Sequence, residues 1–262
     1  MKKVLTIAGS DSSGGAGIQA DIKTITAHKM FGLCAITALT AQNTTGVFGV
    51  LNADADFVAA QINAVFDDIP PDAVKVGMVS TSPIIETIAE RLTYYKVKHA
   101  VVDPVMVATS GARLLEESAV TALREKLIPA ASLITPNIPE AEILADMSIV
   151  SKADMTAAAK KIADFYNGAI LIKGGHLTDD ASDLLYDSSC DEETWFPGVK
   201  LDSTSTHGTG CTLSSAIACN LAAGMTPKVA VAMAKQYITE AIRQAPGFGK
   251  GNGPLNHMVN IE

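Results

Sequence analysis

Aromatic residues make up only 5% of this 262-residue sequence, tryptophan occurs once, and there are just four cysteines. The cysteines, Cys34, Cys190, Cys211 and Cys219, form no C-x-x-C pair and share no zinc-ligand spacing with the five histidines. That excludes a zinc-finger or disulfide-scaffold reading and points to a reduced, cytoplasmic protein. Long apolar runs are missing as well. None approaches the ~18 residues of a membrane span, and Val4 to Ala8 is too short for a secretory signal and reads as a first strand. Basic charge is in short supply: 20 Lys and Arg stand against 28 Asp and Glu, a net charge of −8. A nucleic-acid or anionic-membrane surface is therefore not supported. An acidic chain can still hold phosphates locally, through helix N-termini and magnesium. Linkers, repeats and low-complexity tracts are also absent, which argues for one domain over residues 1–262.

Hydrophobic residues are plentiful, at 48% against 18% charged, so a large core can be buried and disorder is excluded. Apolar runs at 4–9, 34–40, 73–77, 100–105, 132–135 and 169–175 predict strands buried on both faces. Helical patterns near 16–29, 55–67, 82–95, 116–127, 138–145 and 152–166 alternate with them. This alternation predicts a three-layer α/β fold with a mostly parallel sheet. "SDLLYD" and "ETWFPG" around the turn "SSCDEE" predict an antiparallel edge hairpin, followed by helices at 208–223 and 227–244.

Ligands in such sheets bind beyond the carboxyl ends of the strands, so the polar residues just after each run are the candidates. "GSDSSGGAGIQAD" (9–21) contains a G-x-G-x-x-A match, but residues 22 to 53 hold no Asp or Glu for a ribose, which excludes a Rossmann site. The absence of Gly-Lys-Ser/Thr excludes a P-loop. What remains is a loop whose backbone can approach a ligand closely. Asp21, one turn inside the following helix, reads equally as a ligand partner or a solvated first-turn acid. Gln42 in "TAQNTTG" can donate and accept at once, which suits an aminated nitrogen ring, though a plain turn is the simpler reading. Asp103 and Glu140 can hold magnesium, while Asn137-x-x-Glu140 also spells a helix capping box. Lys173 in "LIKGGH" (171–176) ends a strand as a phosphate partner or a solvated lysine. In "STSTHGTGCTLSSA" (203–216), Gly208-Thr209-Gly210 would offer backbone N–H groups at a helix start, an anion hole. The same position is expected to lower the thiol pKa of Cys211, leaving it partly thiolate.

Taken in order, "LTIAGSDSSGGAGIQADIKT", "ALTAQNTTGV", "KVGMV", "VVDPVMVATSG", "LITPNIPEAEIL", "KGGH" and "THGTGCTLSSAIA" resemble the hydroxymethylpyrimidine/phosphomethylpyrimidine kinases of thiamine biosynthesis, within the ribokinase-like superfamily. The resemblance runs from Leu5 to the "GPLNH" tail. It implies a ribokinase-like α/β sandwich and ATP-dependent phosphorylation of 4-amino-5-hydroxymethyl-2-methylpyrimidine, then of its monophosphate. It implies Gly9, Ala16, Asp21, Gln42, Met78, Val105 and Val107 around the pyrimidine, with Gln42 and Asp21 reading its amino edge. Asp103 and Glu140 would organise magnesium, and Asn137, Lys173 and Thr206 the ATP phosphates. Gly208, Thr209 and Gly210 would form the anion hole, with Cys211 as the base. Family members are commonly homodimers. The nearest competitor is a pyridoxine/pyridoxal kinase on the same scaffold, against which Gln42 favours the pyrimidine. A thiol hydrolase would need Cys211 paired with His207 and would leave Asp103 and Glu140 unexplained. A catalytically idle pyrimidine-binding protein would not need a candidate at every catalytic position.

Overall fold

The computed structural model describes residues 1–106, 117–175, 182–198 and 203–259. Among them, nine strands form one sheet: β1 (Lys3–Asp11), β2 (Phe31–Asn43), β3 (Gly46–Asn52), β4 (Ala73–Val76), β5 (Ala100–Val102), β6 (Leu133–Ile134), β7 (Ala169–Ile172), β8 (Asp183–Asp187) and β9 (Glu192–Phe196). Their order across the sheet is β3-β2-β1-β4-β5-β6-β7-β8-β9. The six strands from β2 to β7 pair parallel, and antiparallel pairings add β3 at one edge and the β8–β9 hairpin at the other. Every apolar run read from the sequence falls in this sheet; those of β1, β4, β5, β6 and β7 are covered on both faces, whereas in β2 Cys34 and Leu39 are exposed. Leu5, Ile7, Val74, Val76 and Ile170 have no exposed surface. Each such side chain contributes about 1.5–3 kcal/mol on burial.

Two helical layers provide that cover. On one face lie α2 (Ala55–Asp68), α3 (Ser82–Tyr94), α4 (Glu117–Ala122), α5 (Ile138–Ala145) and α6 (Lys152–Ala163). On the other lie α1 (Gly17–Ala27), α7 (Thr209–Ala222) and α8 (Pro227–Arg243). The helix expected at 116–127 departs from the reading: after Ala122 it widens into a π turn, Leu123–Leu127, and then a 3₁₀ turn, Ile128–Ala130. Pro129 explains the change, since its ring would strike the carbonyl one turn back and it has no N–H to donate. Strand β3 went unread because glycines break up "GVFGVLN" and most of its side chains are exposed. Among the described residues no helix is long and apolar enough to cross a membrane.

Candidate active site

The chain leaves β1 for β2 on one side and reaches β4 on the other, so the β1/β4 boundary is a topological switch point. A cleft of about 1100 Å³ opens there, along the carboxyl ends of the parallel strands. It gathers nearly all the residues singled out above. Gly9, Ala16, Gln42, Met78 and Val105 line one part, and Asp103, Asn137, Glu140, Lys173 and Thr206 line another. Gly208, Thr209, Gly210 and Cys211 border the same space. Val107 and His176 lie outside the described residues.

Asp21 is a correction. It has no exposed surface and is absent from the cleft wall. Its carboxylate accepts from Thr6 Oγ1 at 2.6 Å, from Ser215 Oγ at 2.8 Å and from Lys75 Nζ at 2.8 and 2.9 Å. So saturated, it has nothing left with which to read a ring. Lys75 is equally buried; burial would discharge it, but Asp21 holds its pKa above the ordinary lysine value. The pair stitches β4, α1, β1 and α7 together just behind Cys211. The missed signal was the lysine inside the buried strand "AVKV", because a charge there demands a partner.

At the start of α7, Gly208 takes a left-handed conformation, φ 84°, and a Cβ there would collide with the Gly15 carbonyl oxygen. Only glycine fits. With no side chain at the N-cap, the first turn of α7 has no side-chain acceptor; the Thr209 N–H turns back to Thr206 O at 3.3 Å, and the N–H groups of Gly210 and Cys211 are left to a ligand. Cys211 is half-buried, with the Gly17 N–H near its sulfur on the side that favours the thiolate. Burial pushes its thiol up to about 11, Lys75 and the Gly17 N–H opposing, Asp21 and Asp103 adding. The expected partly ionised thiol is therefore corrected: desolvation outweighs the helix terminus, and Cys211 rests as a neutral thiol.

Across from this turn, Lys173 Nζ lies 2.9 Å from Asp103 Oδ1, which also accepts from Thr135 Oγ1 at 2.9 Å. Burial would raise the Asp103 pKa, but Lys173 and Lys75 hold it below the ordinary value. Burial likewise works against the charge on Lys173, and Asp103 and Glu140 raise its pKa nonetheless. Asn137 and Glu140 do form the capping box of α5: Asn137 N–H donates to Glu140 Oε2 at 2.8 Å and Glu140 N–H to Asn137 Oδ1 at 2.9 Å. Burial pushes Glu140 up to about 7, against the pull of Lys173.

Sequence reasoning also missed Asp11. This buried carboxylate accepts from the backbone N–H groups of Ser13, Gly15 and Ala16, so it shapes the glycine loop. An Asp before Ser and Gly is the usual signal for such a turn. His207 Nε2 is 2.7 Å from Asp11 Oδ2, and among the described hydrogen bonds the ring reaches Asp11 and Gln42, not Cys211. A His–Cys hydrolase pair is thereby unsupported. Burial disfavours ionisation of Asp11, but His207, Ser13 and Ala16 hold its pKa well below the ordinary value.

The C-terminal tail braces the anion-hole turn. His207 N–H donates to Gly253 O at 3.1 Å, Gly253 N–H to Thr204 O at 3.2 Å, and Thr212 Oγ1 and His257 Nε2 are 3.0 Å apart. Burial holds His257 down at about 4, with Lys23 adding to the effect. A histidine whose folded pKa lies below its unfolded value gives full stability above about 6.5, loses it as pH falls toward 4, and changes no further below that. The full loss is about 3 kcal/mol at 1.36 kcal/mol per unit. Glu140, raised in the fold, acts with the opposite sign over the same window. The difference between the parent and His257→Gln isolates the histidine: urea denaturation at pH 7 and pH 4 should show the parent losing about 3 kcal/mol more than the variant. Equal losses would remove His257 as the cause.

Residues 11–256 match the family model described as phosphomethylpyrimidine kinase. The chain is 49% identical over 260 residues to the thiamine biosynthesis bifunctional protein of Geobacter sulfurreducens, covering 99% of this chain but only 53% of that one, about half its length. It is 47% identical over 254 residues to the hydroxymethylpyrimidine/phosphomethylpyrimidine kinase of Streptomyces coelicolor, covering 97% and 93% of the two chains. Among solved structures, the ADP complex of Bacillus subtilis pyridoxal kinase is similar with a TM-score of 0.89 at 39% identity, covering 98% of this chain and 97% of that one. The ribokinase-like α/β fold expected from the sequence is the one these kinases share. On the extent of the family match and these identities, the chain belongs to the phosphomethylpyrimidine kinase family.

Proposed function

We propose that residues 1–262 act as one cytoplasmic kinase domain that phosphorylates 4-amino-5-hydroxymethyl-2-methylpyrimidine with ATP, and then its monophosphate. The observation that carries this reading is the meeting, in one cleft, of an uncapped helix start (Gly208–Cys211) with Asp103, Lys173 and Glu140, next to the Gln42 and Met78 wall. The former suits a polyphosphate and the latter a small polar ring. In the first step the substrate hydroxyl oxygen forms the new bond to the γ-phosphorus and its proton passes to the thiolate form of Cys211; in the second an oxygen of the monophosphate forms that bond; each time the bond from the phosphorus to the bridging oxygen breaks and ADP leaves with the electron pair. Such transfer is mainly positioning and charge neutralisation. The amides of Gly210 and Cys211 hold the phosphoryl oxygens, Thr206, Thr209 and Asn137 border the phosphates, and Lys173 supplies a cation.

The donor set fits magnesium in a limited way. Asp103 Oδ2 accepts no hydrogen bond among the described residues, and Glu140 Oε1 has only a 3.4 Å contact with the Met106 N–H. No cluster of three metal-ligating side chains occurs among the described residues. Two carboxylates beside phosphates suit magnesium, which keeps several waters. When bound there, it would neutralise charge on the β- and γ-phosphates.

ADP release with the aminopyrimidine alcohol, its monophosphate and pyridoxal, tested side by side, checks this function. Turnover of the first two is expected, with kcat/KM at least about tenfold above pyridoxal. Release with pyridoxal alone would favour the vitamin B6 reading, to which the pyridoxal kinase likeness points. We further propose a homodimer that covers the apolar side chains exposed on both faces of the β2–β3 edge, Leu39 with its pairing partner Leu51 on one and Val50 on the other, with Phe48 beside them. A monomeric mass in sedimentation would refute it.

A further inference from the structure

The hydrogen bonds around Gln42 are over-determined, and they fix which way its side-chain amide points. Its main chain is pinned: Gln42 N–H donates to Ser12 Oγ at 2.8 Å and Ser12 Oγ donates back to Gln42 O at 2.7 Å. The side-chain amide lies between two polar neighbours. On one side is Thr40 Oγ1, 3.1 Å from the amide atom placed as oxygen and 2.9 Å from Ser10 O. On the other is His207 Nε2, 3.3 Å from the atom placed as nitrogen and 2.7 Å from Asp11 Oδ2.

Two constraints follow from proton counting. A threonine hydroxyl has one proton, and the shorter contact gives it to Ser10 O; Thr40 Oγ1 then has only lone pairs to offer Gln42. A ring nitrogen 2.7 Å from a carboxylate carries hydrogen, because a lone pair there would face the carboxylate charge. His207 Nε2 is thus a donor, and an amide nitrogen facing it would set donor against donor. Both conflicts vanish when the carboxamide is turned over, an assignment made from the network, as for any side-chain amide. Its nitrogen then donates to Thr40 Oγ1, and its oxygen shares the His207 N–H with Asp11.

We propose that Asp11 and His207 are specificity-positioning residues that lock the Gln42 carboxamide with oxygen toward His207 and nitrogen toward Thr40. This deepens the aminopyrimidine-kinase reading and rests on it. The locked amide keeps one free lone pair and one free N–H side by side. A ligand meets that pair only if it offers a donor next to an acceptor in the matching order. An exocyclic amine beside a ring nitrogen does so, with the amine on the His207 side. Pyridoxal does not, since a methyl-bearing carbon separates its ring nitrogen from its hydroxyl. Sites built to hydrogen-bond a donor reject analogues lacking it strongly, because their own polar groups are left unpaired.

His207→Leu removes the lock and His207→Gln restores an N–H near the same place. In His207→Leu, KM for the aminopyrimidine alcohol is expected to rise about 10- to 100-fold, with the KM for ATP within about twofold and the preference over pyridoxal falling by about tenfold or more. His207→Gln should recover most of that KM and preference. A loss confined to kcat and the ATP KM, with selectivity unchanged, would make His207 a mere brace for the anion-hole turn and overturn the proposal. A parent chain that never phosphorylates the aminopyrimidine would sink the underlying function instead. Nitrogen NMR of the histidine-labelled parent chain is independent of any variant's folding. A proton on His207 Nε2 at pH 7.5 is required, and the Nδ1–H tautomer would overturn the lock.

Discussion

Cys211→Ser is expected to lower turnover by about 10²- to 10⁴-fold, the range of a lost acid–base group, while ATP binding stays within about twofold. The parent chain should also show a rate that climbs with pH, and the serine variant should not. With its thiol pushed up to about 11, Cys211 is a neutral group at pH 7, so a proton-accepting role must run through its minor thiolate form. A base acts when deprotonated, so kcat/KM should rise roughly tenfold per pH unit between pH 7 and 9 where this group dominates. In a loose transition state the hydroxyl proton leaves late, which tolerates a sparsely populated but strong acceptor. Serine keeps the volume and the Gly17 contact but has no accessible anion. Full activity in Cys211→Ser, with a flat profile over the same range, would leave Cys211 as part of the anion hole and nothing more.

The second large effect is on stability. Lys75→Met should cost about 3–5 kcal/mol, because it leaves the Asp21 carboxylate buried with only Thr6 and Ser215 as partners. That is a large share of the 5–15 kcal/mol by which domains of this kind are stable. Asp21→Asn combined with Lys75→Met should cost clearly less than the two single changes added together, since no charge is then stranded. Urea denaturation of the four proteins measures both. A loss below about 1 kcal/mol for Lys75→Met would mean that water reaches the pair.

The sheet was legible because burial on both faces writes an uninterrupted apolar run, and the cleft was legible because its residues follow those runs directly. Asp103, Asn137, Glu140 and Lys173 were found by that rule. Asp21 was misread because a first-turn acid looks the same whether it faces water or a lysine on a distant strand. Its partner, Lys75, is 54 residues away in sequence, and only the parallel pairing of β1 with β4 brings them together. The ionisation of Cys211 was misjudged for a related reason. A helix start is a local feature visible in the glycines, whereas desolvation is the sum of everything packed around the sulfur. His207 was weighed against the nearest thiol in sequence, yet its partner is Asp11, 196 residues earlier. Local chemistry can be read along the chain; pairings across the sheet cannot.

The bracing of the anion-hole turn by Gly253, Pro254 and His257 has a consequence for synthesis on the ribosome. Strands β1 to β7 emerge and can pair long before the tail does, since chains grow from the N-terminus at about 5–20 residues per second. The turn that is to hold phosphate lacks its supports until residue 257 clears the exit tunnel. A nascent chain can thus carry a nearly finished sheet with the phosphate-binding corner still unset, and substrate meets a working site only after translation has passed that point.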